Sequence, residues 1–120
     1  MKPHIDRTAF GQITIDGEVY SYDVVLTPAG KVVERRKELS KRVTGTSHIV
    51  SKEEAEYLVE LGGGRLIIGT GQYGALKLSD EAAGYLQEKA CTVTLAPTPE
   101  AIAHYNAAAE PATAMFHLTC

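Results

Sequence analysis

The stretch Arg65–Gly74, Arg-Leu-Ile-Ile-Gly-Thr-Gly-Gln-Tyr-Gly, constrains this chain more than any other. Leu66, Ile67 and Ile68 form an uninterrupted apolar run, the pattern of a strand buried on both faces. The run stops at Gly69-Thr70-Gly71, where two glycines let the backbone turn sharply and let another group approach closely. In α/β domains such a strand end is a common place for a site.

The chain is then expected to be one domain over residues 1–120, large enough to bury a core without staples. The net charge of -3 gives no general pull toward nucleic acid or anionic membranes. The charge is uneven. Residues 31–42 hold six basic side chains against two acidic ones, a local +4, which leaves -7 on the rest. Cys91 and Cys120 match no metal or redox spacing, and the sequence leaves open whether they pair. No apolar signal core opens the chain and no run reaches transmembrane length, so a cytoplasmic protein with reduced thiols is expected.

Residues 1–10 read as an irregular lead-in. Gln12–Ile15 and Val19–Leu26 read as two strands joined at Asp16-Gly17, a strong hairpin signal because both positions tolerate positive φ. Residues 31–33 extend into a further strand. Glu34–Arg42 has only Leu39 as an apolar residue and reads as a solvated helix or an extended arm. Ser51-Lys52-Glu53-Glu54 fits a capping box, and Ala55, Leu58, Val59 and Leu61 continue it as a helical stripe. Ser79 caps a second helix reaching about Lys89. Residues 91–95 are a strand. Thr98-Pro99 starts a last helix with Thr as its cap. Residues 114–118 are the closing strand. A hairpin layer followed by alternating helices and strands predicts a small α/β domain with a mixed, partly parallel sheet covered by helices and an additional β layer.

Four segments then fall in a familiar order: Phe10-Gly11 with Ile15-Asp16-Gly17 and Tyr22-Asp23; Ile68-Gly69-Thr70-Gly71 with Gly74; Pro97-Thr98 with Ala101 and Tyr105-Asn106; and Ala114–Cys120. In these the chain resembles, nearly end to end, a small family of unknown function found in archaea, bacteria and eukaryotes. That family includes an adipogenesis-associated protein and a mitochondrial complex I assembly factor. The resemblance implies a compact three-layer α/β fold and no established reaction, with assembly of another protein complex as the role assigned in some members. Many members carry Trp-Arg and Glu-Gly-His ahead of the first helix. The matching residues here, Lys37–Arg42 and Gly45–His48, contain no Trp, and only His48 is shared.

Gly69-x-Gly71-x-x-Gly74 matches the dinucleotide fingerprint as a string, but that fingerprint needs a helix to begin in the turn. Residues 75–78 intervene before the Ser79 cap, and residues 92–95 end without an acidic residue for a ribose. Exposed amides of the turn could instead hold a small anion or carboxylate. His48 reads as a loop histidine or as a proton-handling group beside that turn. His117 reads as a satisfied core or interface histidine. Tyr73 is either a lid over a pocket or a packing contact. The basic segment suits a solvated face first, then an acidic protein partner or a second copy of the chain. Nucleic acid comes last, because no stacking aromatics accompany the charges.

The expectation is a non-enzymatic domain that acts through protein contacts, with no cofactor, no metal and no catalytic residue assigned. The rival is an anionic-ligand or catalytic pocket built from Gly69, Thr70, Gly71, Tyr73 and Gly74 with His48, Lys41 and Arg42.

Overall fold

The computed structural model describes residues 2–120, and its centre is the stretch that dominates the sequence. In chain order the elements are β1 (Ile5–Ala9), β2 (Gln12–Ile15), β3 (Glu18–Tyr20), β4 (Val24–Leu26), β5 (Val32–Glu34), α1 (Glu38–Thr44), β6 (Ile49–Val50) and α2 (Lys52–Glu60). They continue with β7 (Arg65–Thr70), β8 (Lys77–Leu78), α3 (Asp80–Glu88), β9 (Thr92–Ala96), α4 (Thr98–Ala107) and β10 (Thr113–His117).

The main sheet has the order β5-β4-β10-β7-β9. β10 runs parallel to β7 and antiparallel to β4, and β9 is parallel to β7, so the sheet is mixed. Three neighbouring strands divide their apolar side chains between two cores. Ile67, Ala114, Phe116, Val24 and Leu26 face one way, with Ile5, Ile13 and Ile15 of the β1-β2-β3 sheet and Ala101, Ile102 and Tyr105 of α4. Leu66, Ile68, Met115 and Val25 face the other way, toward Ala55 and Leu58 of α2 and Ala82 and Leu86 of α3. This two-sided demand is why the run at 66–68 has no polar alternation. The result is a compact three-layer α/β domain, with a β layer and α4 on one face of the sheet and helices on the other. Among the described residues, no helix is long and apolar enough to cross a membrane.

The Asp16-Gly17 turn forms as expected, with φ of 48° and 81°. Ser79 caps α3 by accepting from the Ala82 amide at 3.0 Å. Three expectations need correction. The lead-in contains a strand, β1, hidden in the sequence because only Ile5 reaches the core and pairing with β2 defines the rest. The expected strand over Val19–Leu26 is two strands in different sheets, with Ser21, Tyr22 and Asp23 as the crossing. The Thr98 hydroxyl does not cap α4; it donates to the His117 carbonyl and accepts from the Gly71 amide.

Candidate functional site

β7 ends in the glycine turn, and the turn is filled by the chain itself. A Cβ on Gly69 would lie 2.8 Å from both Phe116 and the Thr98 hydroxyl. Gly71, at φ +102°, would place a Cβ 2.5 Å from the Cys120 carbonyl oxygen. The close approach read from the glycines is therefore made by residues 98 and 116–120. An amide has one hydrogen to give, and those of Gly71, Gln72, Gly74, Ala75 and Leu76 are given internally. Gly71 donates to Thr98 Oγ1 at 3.0 Å, Gln72 to the Thr119 carbonyl at 2.7 Å and Ala75 to the Cys120 carbonyl at 2.9 Å. Gly74 donates to the Gly71 carbonyl and Leu76 to that of Thr70. Tyr73 is 79% exposed, and its ring lies 6.1 Å from that of Phe10, itself 57% exposed, at the β1–β2 turn.

A cluster of buried charge, unmarked in the sequence reading, lies beneath this edge. Arg35, 3% exposed, follows β5 directly and is withdrawn from the basic face. Its Nε donates to Glu54 Oε2 at 2.7 Å and its Nη2 to Glu54 Oε1 at 2.9 Å. Nη1 donates to Asp23 Oδ2 at 2.9 Å, and Nη2 also donates to the Ser47 carbonyl at 2.9 Å. Burial alone would lower the Arg35 pKa; the hydrogen bonds and charges of Glu54 and Asp23 outweigh it and raise the value. Glu54 also accepts from the Ser40 hydroxyl. The capping box is thus half formed. Ser51 Oγ accepts from the Glu54 amide at 3.2 Å, but the Glu54 carboxylate turns inward to Arg35, and the Ser51 amide goes to Ser40 Oγ at 2.9 Å. The segment expected to be a solvated helix or arm has Arg35, Leu39 and Ser40 as its inner face.

Asp23 links this cluster to the surface. Its Oδ1 accepts from the Leu118 amide at 2.9 Å and its Oδ2 lies 2.7 Å from His117 Nδ1. Burial favours the protonated carboxyl, but the hydrogen bond and charge of His117, the Leu118 amide and Arg35 prevail, holding Asp23 below the usual carboxylate range. His117 is 3% exposed, and its Nε2 lies 3.3 Å from Thr119 Oγ1. His48 packs edge-on against it with ring centroids 5.1 Å apart. A cleft of about 170 Å³ opens here, with Asp23, His117, Thr119, Ser47, Tyr22 and Lys37 among its walls.

Of the residues expected to form a pocket, the structure brings His48 against His117, and Thr70 beside His117 in the β7–β10 register. Lys41 and Arg42 stand exposed in the last turn of α1, where positive charge suits the helix dipole, and neither lines the cleft; Lys37 does. Asp23, Arg35, Glu54 and Thr119 were missed. Glu54 did carry a signal, because it shares a helical stripe with Ala55 and Leu58, and a carboxylate on an inward stripe demands a partner. Among the described residues, no group of three or more His, Cys, Asp or Glu side chains is placed to hold a metal ion.

Comparison with curated proteins gives no match. Among solved structures, the chain is similar to the conserved hypothetical protein PH1505 from Pyrococcus horikoshii OT3, at 34% identity and a TM-score of 0.88, covering 97% of this chain and 98% of that one. It is similar to a structure named MT938 at 36% identity and a TM-score of 0.84, covering 99% and 100%. It shares its fold with XCC1710 from Xanthomonas campestris, at 10% identity and a TM-score of 0.74, over 98% and 86% of the two chains. A family described as "Protein of unknown function (DUF498/DUF598)" matches residues 5–116, nearly the whole chain, and this protein belongs to that family.

Proposed function

We infer that the domain works by docking a partner protein on a fixed aromatic platform. The observation that carries this reading is the exposed pair Phe10 and Tyr73, whose rings meet at 6.1 Å from two separate turns. Both turns are anchored to one segment. The Gly11 amide donates to the Leu118 carbonyl at 2.9 Å and the Gln72 amide to that of Thr119 at 2.7 Å. Large aromatics presented on a rigid backbone lose little entropy on binding and are the usual anchors of interfaces. Tyr22, on the cleft wall with Gly11, adds a third exposed ring. Lys31, Arg36, Lys37, Lys41 and Arg42 remain exposed once Arg35 is withdrawn, which favours an acidic partner or the acidic remainder of a second copy. Resemblance to a family that includes an assembly factor agrees with this role. Cys91 and Cys120 are free thiols, which supports a cytoplasmic setting.

The test compares the protein with a Phe10→Ser/Tyr73→Ser variant by native mass spectrometry and by affinity capture from lysate. A stoichiometric partner, or a dimer, that is present with the first and lost with the second supports the reading. Identical results for both proteins sink it. A second reading, a small anionic ligand, is favoured by the contact of His48 with His117 beside Lys37 rather than by the turn amides. A small molecule retained in native mass spectra and lost on Lys37→Gln would support that reading.

A further inference from the structure

We propose that Thr119, His117 and Asp23 form an acyl-accepting site in the cleft, with Thr119 Oγ1 as nucleophile toward a small activated acyl ester or thioester. The inference goes beyond docking and does not depend on the aromatic platform.

The geometry is that of a nucleophile, a base and a group that orients the base. Asp23 Oδ2 lies 2.7 Å from His117 Nδ1, while the same carboxylate accepts from Arg35 Nη1 and from the Leu118 amide. An ionised carboxylate can only accept, so Nδ1 carries the hydrogen, and the ring in its neutral form presents a lone pair at Nε2. That lone pair faces Thr119 Oγ1 at 3.3 Å. The same relations recur on unrelated folds wherever a hydroxyl is activated by a histidine. Among the described residues, the Thr119 hydroxyl has no other protein hydrogen-bond partner, so no structural task occupies it.

A purely structural pair would need no access, whereas here the cleft is walled by all three residues. Its volume of about 170 Å³ leaves room for more than a single water. That room suits a short acyl group. Lys37 on the wall favours an acyl group with an anionic end.

In the step, Thr119 Oγ1 attacks the acyl carbonyl carbon and forms the new C–O bond while His117 Nε2 takes the hydroxyl proton. The bond from that carbon to the leaving alkoxide or thiolate breaks, and the proton on Nε2 passes to the leaving group. No oxidant or reductant is needed. Thr119 and His117 are the catalytic residues, and Asp23 is a positioning residue that acts through His117.

The probe is p-nitrophenyl acetate, read by p-nitrophenolate release and by peptide mass mapping. One acetyl group on Thr119 is expected, retained at residue 119 in Thr119→Ser and lost in Thr119→Val. His117→Gln should slow acetylation of residue 119 about a hundredfold. The rate should climb with pH, since a general base takes a proton only in its unprotonated form, in a setting shaped by Asp23, His48, Lys37 across the cleft and Arg35 behind Asp23. Should His117→Gln fail to fold, the Thr119→Ser and Thr119→Val pair and the pH profile of the unaltered protein decide. Acetyl found only on lysines, His48 or Cys120, or labelling of Thr119 at an undiminished rate in folded His117→Gln, overturns the proposal.

Discussion

Arg35 and Glu54 face each other through two parallel hydrogen bonds, Nε to Oε2 at 2.7 Å and Nη2 to Oε1 at 2.9 Å, with both side chains sealed from water. The pair joins the end of β5 to the first turn of α2, so it fixes how the helical layer meets the sheet edge. Paired in this way the charges roughly offset their desolvation; separated, they do not. Arg35→Met should therefore cost about 3–5 kcal/mol, because it leaves Glu54 buried without its cation. Urea unfolding measures it. A loss below about 1 kcal/mol would show that water reaches the cluster.

Asp23 sets the response to acid. Its folded pKa is lowered, so its contribution is complete above the unfolded carboxyl value near 3.9 and is lost as pH falls through the lower folded value. The protein should lose stability steeply below about pH 4. In Asp23→Asn that part of the slope should flatten, although the variant starts less stable at neutral pH. Parallel acid-unfolding curves for the two proteins would contradict this account.

Gly71 is fixed by what lies opposite it. Alanine there combines a φ of +102° with a Cβ 2.5 Å from the Cys120 carbonyl oxygen and 2.8 Å from that of Thr119. Gly71→Ala should cost about 2 kcal/mol or more. Hydrogen exchange should show the Gln72 and Ala75 amides losing protection first, since they donate to Thr119 and Cys120. Unchanged exchange at both amides would mean that the segment is not clamped.

The aromatic platform should contribute little to folding. Tyr73→Ser removes one exposed tilted ring contact and should shift stability by no more than about 1 kcal/mol, as thermal melting can check. A drop of several kcal/mol would place Tyr73 in the fold rather than at an interface.

The two thiols should separate in alkylation. Burial pushes the Cys91 thiol up, whereas Cys120 is exposed. Iodoacetamide at mildly alkaline pH should modify Cys120 first by peptide mapping, and preferential labelling of Cys91 would contradict the burial.

The layers were legible because they rest on local pattern. The run Leu66–Ile68, the Asp16-Gly17 turn and the Ser79 cap each declare their state within a few residues. β1 was not legible, since a strand with one buried side chain has no periodicity to read. Nor was the switch of sheets at Ser21–Asp23, where no glycine or proline interrupts the run. The polar cluster was hidden for another reason. Asp23, Arg35, Glu54 and His117 come from four separated segments, and each has an ordinary local explanation as a strand residue, part of a basic run, a helix cap and a core histidine. Only the fold shows that these four explanations describe one network. His48 was legible as a candidate because it follows a loop and precedes a cap, and the structure supplies the neighbour, His117, that the sequence could not.

The place of β10 in the sheet has a consequence for biosynthesis. Leu26 pairs with Ala114, 88 residues later in the chain, while β7 and β9 pair close to one another in sequence. As the polypeptide emerges from the ribosome, β4–β5 and β7–β9 can form as two separate ribbons, each with an open inner edge. Neither can close until residues 113–117 arrive and slide between them. Closure of so distant a pairing is slow, and for that interval two apolar edges are unpartnered. A translating ribosome stalled after β9 would therefore hold a sticky, half-assembled sheet that either waits for its central strand or finds one from another molecule.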